Sequence, residues 1–242
     1  MPNRKVLIVQ HAAWERAGRI EDNLEDVGLE RVTMNVATIK KPQLPPLEEL
    51  AGIVLLGGPM QANDYEHFPG LKAEAKLAKA AHSAGIPVLG VCLGHQILAQ
   101  ALGGQLTLGK TLQRGVDQVK WVATDDAVSS WADKKTTVLQ WHSDSVTLPP
   151  DAKLLAKSPL TKVEAFRQGS ALGVQFHLEV TMPIFEQWLE QPEVTEGLKK
   201  SQIAQLVSDF QEADPLIQPM ADSLFSAFAA RCSTCAAQPV RE

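Results

Sequence analysis

A single cysteine stands between two glycines where an apolar, strand-like run gives way to a helical pattern. The stretch Gly90-Val91-Cys92-Leu93-Gly94 is the thiol counterpart of the G-x-S-x-G turn, whose glycines permit a strained turn that holds a nucleophile at the edge of a sheet. The N-terminus of the following helix favours the thiolate, which is the attacking form of cysteine. Alternatively, Cys92 is only a small buried hydrophobic residue next to a turn. The residues predicted to lie around it distinguish the two interpretations.

A thiolate that attacks a carbonyl carbon needs hydrogen-bond donors for the oxygen that becomes negative. The backbone N–H of Leu93, directly after the cysteine, is one candidate donor. The run GIVLLGGPM (52–60) reads as a strand that ends in Gly57-Gly58-Pro59, a tripeptide that by itself is typical of an ordinary turn. Because this loop comes one strand-helix unit before Cys92, it predicts the second donor.

A proton acceptor is also required, and His177 is the histidine in the most suggestive setting. In GVQFHLEV it ends a strand-like run, and Glu179 follows two residues later. Residues two apart in an extended segment share a face, so the carboxylate can orient the imidazole that takes the proton of Cys92. The other histidines lie in loop or helix contexts without evident chemistry (His11, His67, His82) or could face either way (His95, His142).

The elements that must position these residues alternate over the first hundred residues. Apolar, β-branched runs such as KVLIV (5–9) and PVLGV (87–91) alternate with helical patterns, the first of which begins at Trp14. This order predicts a parallel sheet covered on both faces by helices. After Gly104 the strand-like runs are spaced by turns and indicate antiparallel pairing. After Thr181 the pattern is helical, with Pro183 and Pro215 suited to the first turns of helices.

The composition argues against nucleic acid and membranes as partners. The 242 residues carry a formal net charge of −5, without the basic patch that nucleic acid requires, and no apolar stretch is long enough to span a membrane. We therefore expect a cytoplasmic protein that binds neither nucleic acid nor membrane. Three cysteines are an odd number, so a disulfide framework is not expected. Cys232-Ser-Thr-Cys235 has the spacing of half a zinc site but lacks a second pair, and we interpret it as an accident of a frayed C-terminal tail.

Four motifs together resemble the class I (triad) glutamine amidotransferases, in particular free-standing members akin to the glutaminase domain of GMP synthetase. The motifs are LLGGP (55–59), GVCLGHQILAQALGG (90–104), HSD (142–144) and GVQFHLEVT (173–181). The resemblance implies a flavodoxin-like three-layer sandwich with a mostly parallel central sheet, extra antiparallel strands and C-terminal helices. We expect an amidotransferase domain at residues 1–195. The family motifs do not explain the helical pattern after it, and we expect residues 196–242 to form a helical extension packed on the same domain.

The resemblance further assigns roles to individual residues. It implies a catalytic triad of Cys92, His177 and Glu179, and an oxyanion hole at Gly58 and Leu93. Five more residues match positions that bind the substrate: Gly57, Gln96, His142, Ser143 and Asp144. The implied reaction is hydrolysis of the side-chain amide of glutamine to glutamate and ammonia through a cysteinyl γ-glutamyl thioester, without a metal or cofactor.

The sequence departs from the family pattern in two ways. Leu178 stands between the histidine and the glutamate, where most members have proline. No P-loop or adenylating loop is present, so an acceptor for ammonia would have to lie on a separate synthetase subunit. The alternatives are a γ-glutamyl hydrolase or peptidase that uses the same triad, and a non-catalytic binding module derived from the family. A PfpI-like cysteine hydrolase would place histidine directly after the cysteine, and Leu93 argues against it.

Overall fold

The computed structural model describes residues 4–109, 112–123 and 129–238, which form eleven strands and six α-helices. The strands are β1 Lys5–Val9, β2 Arg31–Met34, β3 Leu50–Leu55, β4 Val88–Val91, β5 Leu106–Thr107, β6 Gln113–Trp121, β7 Lys135–His142, β8 Ser145–Val146, β9 Lys153–Lys157, β10 Ala165–Gln168 and β11 Ala171–Val174. The helices are α1 Arg19–Asp26, α2 Leu71–Ser83, α3 Leu93–Ala101, α4 Met182–Leu189, α5 Pro192–Thr195 and α6 Lys200–Ala237.

The main sheet has nine strands in the order β2-β1-β3-β4-β11-β10-β9-β6-β7. The pairs from β2 to β11 are parallel and the pairs from β11 to β7 are antiparallel, which confirms the predicted mixed sheet. Strand β11 is the last along the chain but pairs with β4, with Val174 opposite Val91. The residues that follow β11 therefore come next to Cys92.

Alternation of side chains along the parallel strands creates two apolar layers. In β1, Val6 and Ile8 face α1, α4 and α6, whereas Leu7 and Val9 face α2 and α3. All four side chains are fully buried, and each such burial contributes about 1.5–3 kcal/mol relative to exposure. Helices on both faces of one sheet make the three-layer sandwich that the sequence predicts.

The C-terminal part of the chain is one 38-residue helix, α6, that packs across β3, β6 and β7 and against α1 and α4. The expectation that Pro215 begins a helix is wrong, because Pro215 and Pro219 both lie inside α6. A proline inside a helix costs about 3 kcal/mol. Buried residues on both sides of the prolines, such as Phe210 and Phe225, hold the helix on the sheet and offset that cost. Pro183 does lie in the first turn of α4. The division at residue 195 stays a prediction.

The two C-terminal cysteines are part of this packing. The expectation of a frayed tail is wrong, since Cys232 is fully buried and Cys235 is 9% exposed on α6. Burial raises the pKa of Cys232, and neither residue forms a disulfide. The described ranges contain no group of three or more His, Cys, Asp or Glu side chains placed to hold a metal ion. Nor does any helix in them have the length and apolar character needed to cross a bilayer.

The first helix begins later than its periodicity predicts. It starts at Arg19 rather than Trp14, because Gly18 takes a φ of 47° and the N–H of Arg19 donates to the carbonyl of Glu179 at 3.1 Å. A side chain at Gly18 would collide with that same carbonyl. Residues 11–18 therefore form a loop at the carboxyl end of β1, on the edge of the sheet where β4 delivers Cys92.

Candidate active site

Cys92 occupies a strained turn between β4 and α3. Its φ is 52°, a left-handed value that side chains other than glycine rarely adopt, and its N–H donates to the Val174 carbonyl at 2.9 Å. A Cβ on Gly90 would lie 2.5 Å from the carbonyl oxygen of Gly94, and a Cβ on Gly94 would overlap the carbonyl of Leu55. Both glycines are thus required by backbone crowding, Gly90 within the turn and Gly94 against β3.

The turn opens onto a cavity of about 290 Å³, close to the lower end of the size range of small-molecule sites. Cys92 is 7% exposed and lines this cavity together with Gly58 and Leu93. Among the predicted substrate-binding residues, the cavity is also lined by Gln96, His142, Ser143 and Asp144. The cavity therefore brings together residues from six separate stretches of the chain.

His177 and Glu179 form a buried pair beside this turn. The imidazole Nδ1 lies 2.6 Å from Glu179 Oε1, and the second carboxylate oxygen accepts from the N–H of Leu178 at 3.0 Å. The ring of Trp188 packs edge-on against the imidazole, with 4.8 Å between ring centroids. Burial opposes protonation of His177, but Glu179 and then Cys92 raise its pKa well above the ordinary value. The imidazole is therefore held as a strong proton acceptor.

The second nitrogen of this ring is available to the thiol. With Nδ1 engaged by Glu179, the buried Nε2 has no hydrogen-bond partner among the described residues. Sγ of Cys92 lies 3.7 Å from the carbonyl oxygen of Trp141. The N–H of His177 donates to the carbonyl of Leu139, also on β7, at 2.8 Å. Both residues thus contact β7, and Cys92 is near enough to raise the pKa of His177, although β11 ends at Val174 and His177 lies beyond the regular strand.

The loop after β3 runs alongside the start of α3. A Cβ on Gly58 would lie 2.7 Å from the Leu93 side chain, and the N–H of Gly94 donates to the Leu56 carbonyl at 3.0 Å. The N–H of Leu93 is in the first helical turn, where backbone donors have no partner within the helix. Gly57 does not line the cavity, and a Cβ there would lie 3.2 Å from His177 Cε1. In the structure, Gly57 therefore allows its loop to pack closely against the imidazole of His177.

His11, which the sequence gives no role, holds this loop. It is buried, its Nδ1 lies 2.9 Å from the carbonyl oxygen of Gly57, and its Nε2 lies 2.9 Å from a carboxylate oxygen of Glu74. Burial opposes its protonation, but Glu74 outweighs burial and raises the pKa of His11. A doubly protonated ring donates to both partners. The pair therefore connects α2 to the loop that carries Gly58.

The other end of the cavity is a hydrogen-bonded group of polar side chains. Gln96 Nε2 donates to the Asp144 carbonyl and to Gln175 Oε1, both at 3.2 Å. His142 Nδ1 lies 3.1 Å from the same carbonyl, and burial lowers the pKa of His142 to about 4. A neutral His142 can donate to only one of its two oxygen neighbours, the Asp144 carbonyl or Gln140 Oε1 at 3.0 Å, so it bonds within this group without carrying charge. Ser143 is exposed beside it.

Two charged residues on the cavity wall escape sequence reasoning. Glu15 comes from the loop after β1, and Arg114 comes from β6, where its guanidinium lies 5.0 Å from the ring centroid of Trp141. Glu15 falls inside what reads as a helix, and Arg114 lies outside every motif that the sequence singles out. No local signal could have singled out either residue, since their access to the cavity depends on tertiary packing.

The fold and this site define an α/β protein in which a cysteine at a strand-helix turn meets a buried histidine-glutamate pair. The family model described as glutamine amidotransferase class-I matches residues 18–191. The chain belongs to that family.

Relatives and solved structures agree with this assignment. The chain is 27% identical over 183 residues to one subunit of the glutamine-hydrolysing GMP synthase of Pyrococcus abyssi, covering 72% of this chain and 89% of that protein. It is 35% identical over 136 residues to the subunit of the same name from Methanococcoides burtonii, covering 55% and 66%. A crystal structure of a glutamine amidotransferase from Thermotoga maritima superposes with a TM-score of 0.84 at 29% identity, covering 94% of this chain and 98% of that one.

Proposed function

We propose that this chain hydrolyses the side-chain amide of glutamine to glutamate and ammonia through a cysteinyl γ-glutamyl thioester. The observation that carries the proposal is the thiol of Cys92 on the wall of the cavity, beside a His177 ring whose Nδ1 is bound by Glu179 at 2.6 Å. A nucleophile, a base and a group that orients the base are the parts that acyl transfer requires.

In the first half of the reaction, the thiolate of Cys92 attacks the amide carbon of the substrate. The carbonyl oxygen becomes negative and accepts hydrogen bonds from the N–H groups of Gly58 and Leu93. His177 carries the proton taken from the thiol and delivers it to the amide nitrogen as the C–N bond breaks. Ammonia leaves, and the acyl group remains on sulfur as a thioester.

In the second half, a water molecule attacks the thioester. His177 removes a proton from the water, and the same two N–H groups stabilise the second oxyanion. The C–S bond breaks, the sulfur departs as thiolate and glutamate is released. Glu179 holds the ring in one orientation and stabilises its positive charge during both halves, by the same logic as the third member of a serine protease triad.

The residues at the other end of the cavity are proposed to hold the amino-acid end of glutamine. Gln96, Ser143 and the backbone at Asp144 present amide, hydroxyl and carbonyl groups to the cavity, and His142 holds their loop. Gly57 contributes by letting its loop approach the imidazole. A cavity of about 290 Å³ suits a ligand of amino-acid size.

The relatives that are named as single subunits of GMP synthase support the view that a separate synthetase subunit receives the ammonia. Hydrolysis of another γ-glutamyl compound is the second candidate, because it needs the same sulfur, imidazole and donors. The charged side chain of Glu15 on the cavity wall favours retaining it, since the neutral amide of glutamine does not require a carboxylate there.

The test is glutamate release by the purified chain from glutamine and from several γ-glutamyl amides. We expect release that disappears in Cys92→Ala and persists in Cys235→Ala, which removes a thiol on α6 remote from the cavity lining. A diazo-ketone analogue of glutamine should add its mass at Cys92 alone. Failure to label folded protein at Cys92, together with no glutamate from any substrate, would show a non-catalytic binding module.

A further inference from the structure

The carboxylate of Glu15 is a charged group on the cavity wall that the proposed mechanism does not use. Glu15 is half-buried and lines the cavity with Cys92 and Gly58. Within residues 4–109, 112–123 and 129–238, it has neither a hydrogen bond nor an ion pair to its carboxylate. A carboxylate held in a partly buried site without a protein donor is a group that a ligand can satisfy.

Glu15 lies close to the imidazole of His177, and Gly57, in the loop after β3, lies between them. Its Oε2 lies 2.6 Å from the position that a Cβ on Gly57 would occupy, and Cε1 of His177 lies 3.2 Å from the same position. The carboxylate and the edge of the ring are therefore neighbours across Gly57. His177 is the group that protonates the departing nitrogen, so Glu15 stands beside the place where the amine leaves.

The order of strands separates Glu15 from the amino-acid end of the substrate. Along the carboxyl edge of the sheet, the loops after β1 and β3 lie on one side of Cys92, and Gln175, directly after β11, lies on the other, whereas His177 and Glu179 further along reach back to the loop after β1. Gln96 bonds to Gln175 and to the loop at Asp144, on that second side. Arg114 stacks on Trp141, two residues before Ser143, and belongs to the same end. Glu15 thus faces the leaving group.

We propose that Glu15 accepts a hydrogen bond from the leaving amine and makes the site select γ-glutamyl amides whose amine part is neutral or cationic over those with a carboxylate next to the scissile bond. This inference rests on the proposed function and names its substrate class. Ammonia and simple amines keep N–H groups that Glu15 can bind. An amino acid as leaving group would place a second carboxylate against it in a medium of reduced dielectric constant.

The charge of Glu15 depends on pH in an accessible range. Burial raises the pKa of Glu15 to about 7, while the opposing charge of His177 lowers it. Glu179 and His11 are the other titratable groups that act on it from the segments after β11 and β1, and Arg114 and Glu193 lie on the same cavity wall. The carboxylate is therefore charged at about pH 8.5 and mostly protonated at about pH 6.

The experiment compares γ-glutamylglycinamide with γ-glutamylglycine, which differ by one charge on the leaving group. The ratio of their kcat/KM values cancels general damage to the catalytic groups, and the ratio of their inhibition constants against glutamine gives the same comparison where turnover is slow. At about pH 8.5 we expect the wild type to prefer the glycinamide by about tenfold or more, the effect of one like-charge pair roughly 10 Å apart at an effective dielectric constant of about 20.

Glu15→Gln should reduce this preference to near unity, and lowering the pH to about 6 should do the same in the wild type without any substitution. Glu193→Gln, the exposed glutamate on the same wall, is the matched control and should keep the preference. A ratio that is the same in wild type and Glu15→Gln, or that does not change with pH, overturns the inference. If the wild type releases no glutamate from glutamine or either peptide and binds none of them, the proposed function fails instead.

Discussion

Removal of the two ring nitrogens of His11 should slow catalysis, although His11 does not line the cavity. His11→Phe keeps a planar ring, but it removes the donor to the Gly57 carbonyl at 2.9 Å and leaves Glu74 buried without its partner. Breaking a buried pair by removing one member costs about 3–5 kcal/mol. The loop that carries Gly58 would lose its anchor, and a misplaced oxyanion donor costs up to about a hundred- to a thousandfold in turnover. We expect kcat to fall by about ten- to a hundredfold.

The double variant His11→Phe/Glu74→Leu separates the two effects. Because it removes the buried charge, it should recover most of the free energy of unfolding, measured by urea denaturation. It still lacks a donor to Gly57, so its kcat for glutamate release should remain low while KM changes little. If the double variant regains both stability and wild-type kcat, the anchoring of this loop by His11 is refuted. His67→Phe, at an exposed histidine that contacts Asp64, controls for histidine replacement.

The pH dependence of stability gives an independent check on the same pair. Burial alone would lower the pKa of His11, but Glu74 outweighs burial and raises the pKa above its ordinary value in the folded protein. The stabilisation is therefore fully present below the unfolded pKa of about 6.5 and is lost as the pH rises through the folded value. The difference in free energy of unfolding between wild type and double variant should shrink with rising pH. A difference that is constant from about pH 6 to 9 would contradict a charged His11.

The other predictions concern four positions around Cys92. Glu179→Gln should lower kcat by about a hundred- to ten-thousandfold, since the ring loses its charged partner, with little effect on inhibitor binding measured by calorimetry. Leu178→Pro removes the N–H donor to Glu179 and should lower the free energy of unfolding by about 1–3 kcal/mol in urea titrations. Arg114→Gln should raise KM for glutamine by about tenfold at nearly constant kcat in steady-state assays, if its guanidinium meets the substrate carboxylate. Gly94→Ala should destabilise the chain by about 2 kcal/mol or more and abolish glutamate release, because its Cβ would overlap the Leu55 carbonyl; an active, stable Gly94→Ala would mean that the turn can relax.

Local patterns in the sequence were sufficient for the sheet and for the turn at Cys92. Short apolar runs that alternate with helical periodicity predict parallel strands, and the paired glycines at Gly90 and Gly94 predict a tight strand-to-helix turn. The structure adds a reason that the pattern alone did not contain, since both glycines are required by backbone contacts within the turn and with β3. The proximity of His177 to Cys92 also needed the pairing of β11 with β4, which a single sequence does not encode locally.

Two of the residues that sequence reasoning missed lie close together in the chain. Glu15 lies in the segment 14–18, whose periodicity continues into α1 and reads as helix up to its true start at Arg19, and His11 lies in the loop just before it. A positive φ at Gly18 and a hydrogen bond to Glu179, more than 150 residues away along the chain, keep this segment out of the helix. Tertiary contacts here override local propensity. The same override places two prolines inside α6.

The hydrogen bonds of Glu179 explain how Leu178 can replace the proline that most family members have between the histidine and the glutamate. One carboxylate oxygen is bound by His177 and the other by the N–H of Leu178, so both oxygens that could turn away from the ring are fixed. Proline, which most members of the family have at this position, has no N–H to donate. In members with proline, the stiff ring limits the backbone at this position. In this chain, a charge-assisted hydrogen bond and the fully buried side chain of Leu178 restrain the backbone instead. The orientation of the imidazole can therefore be preserved although the residue that enforces it has changed, which explains why the substitution leaves the histidine-glutamate pair intact.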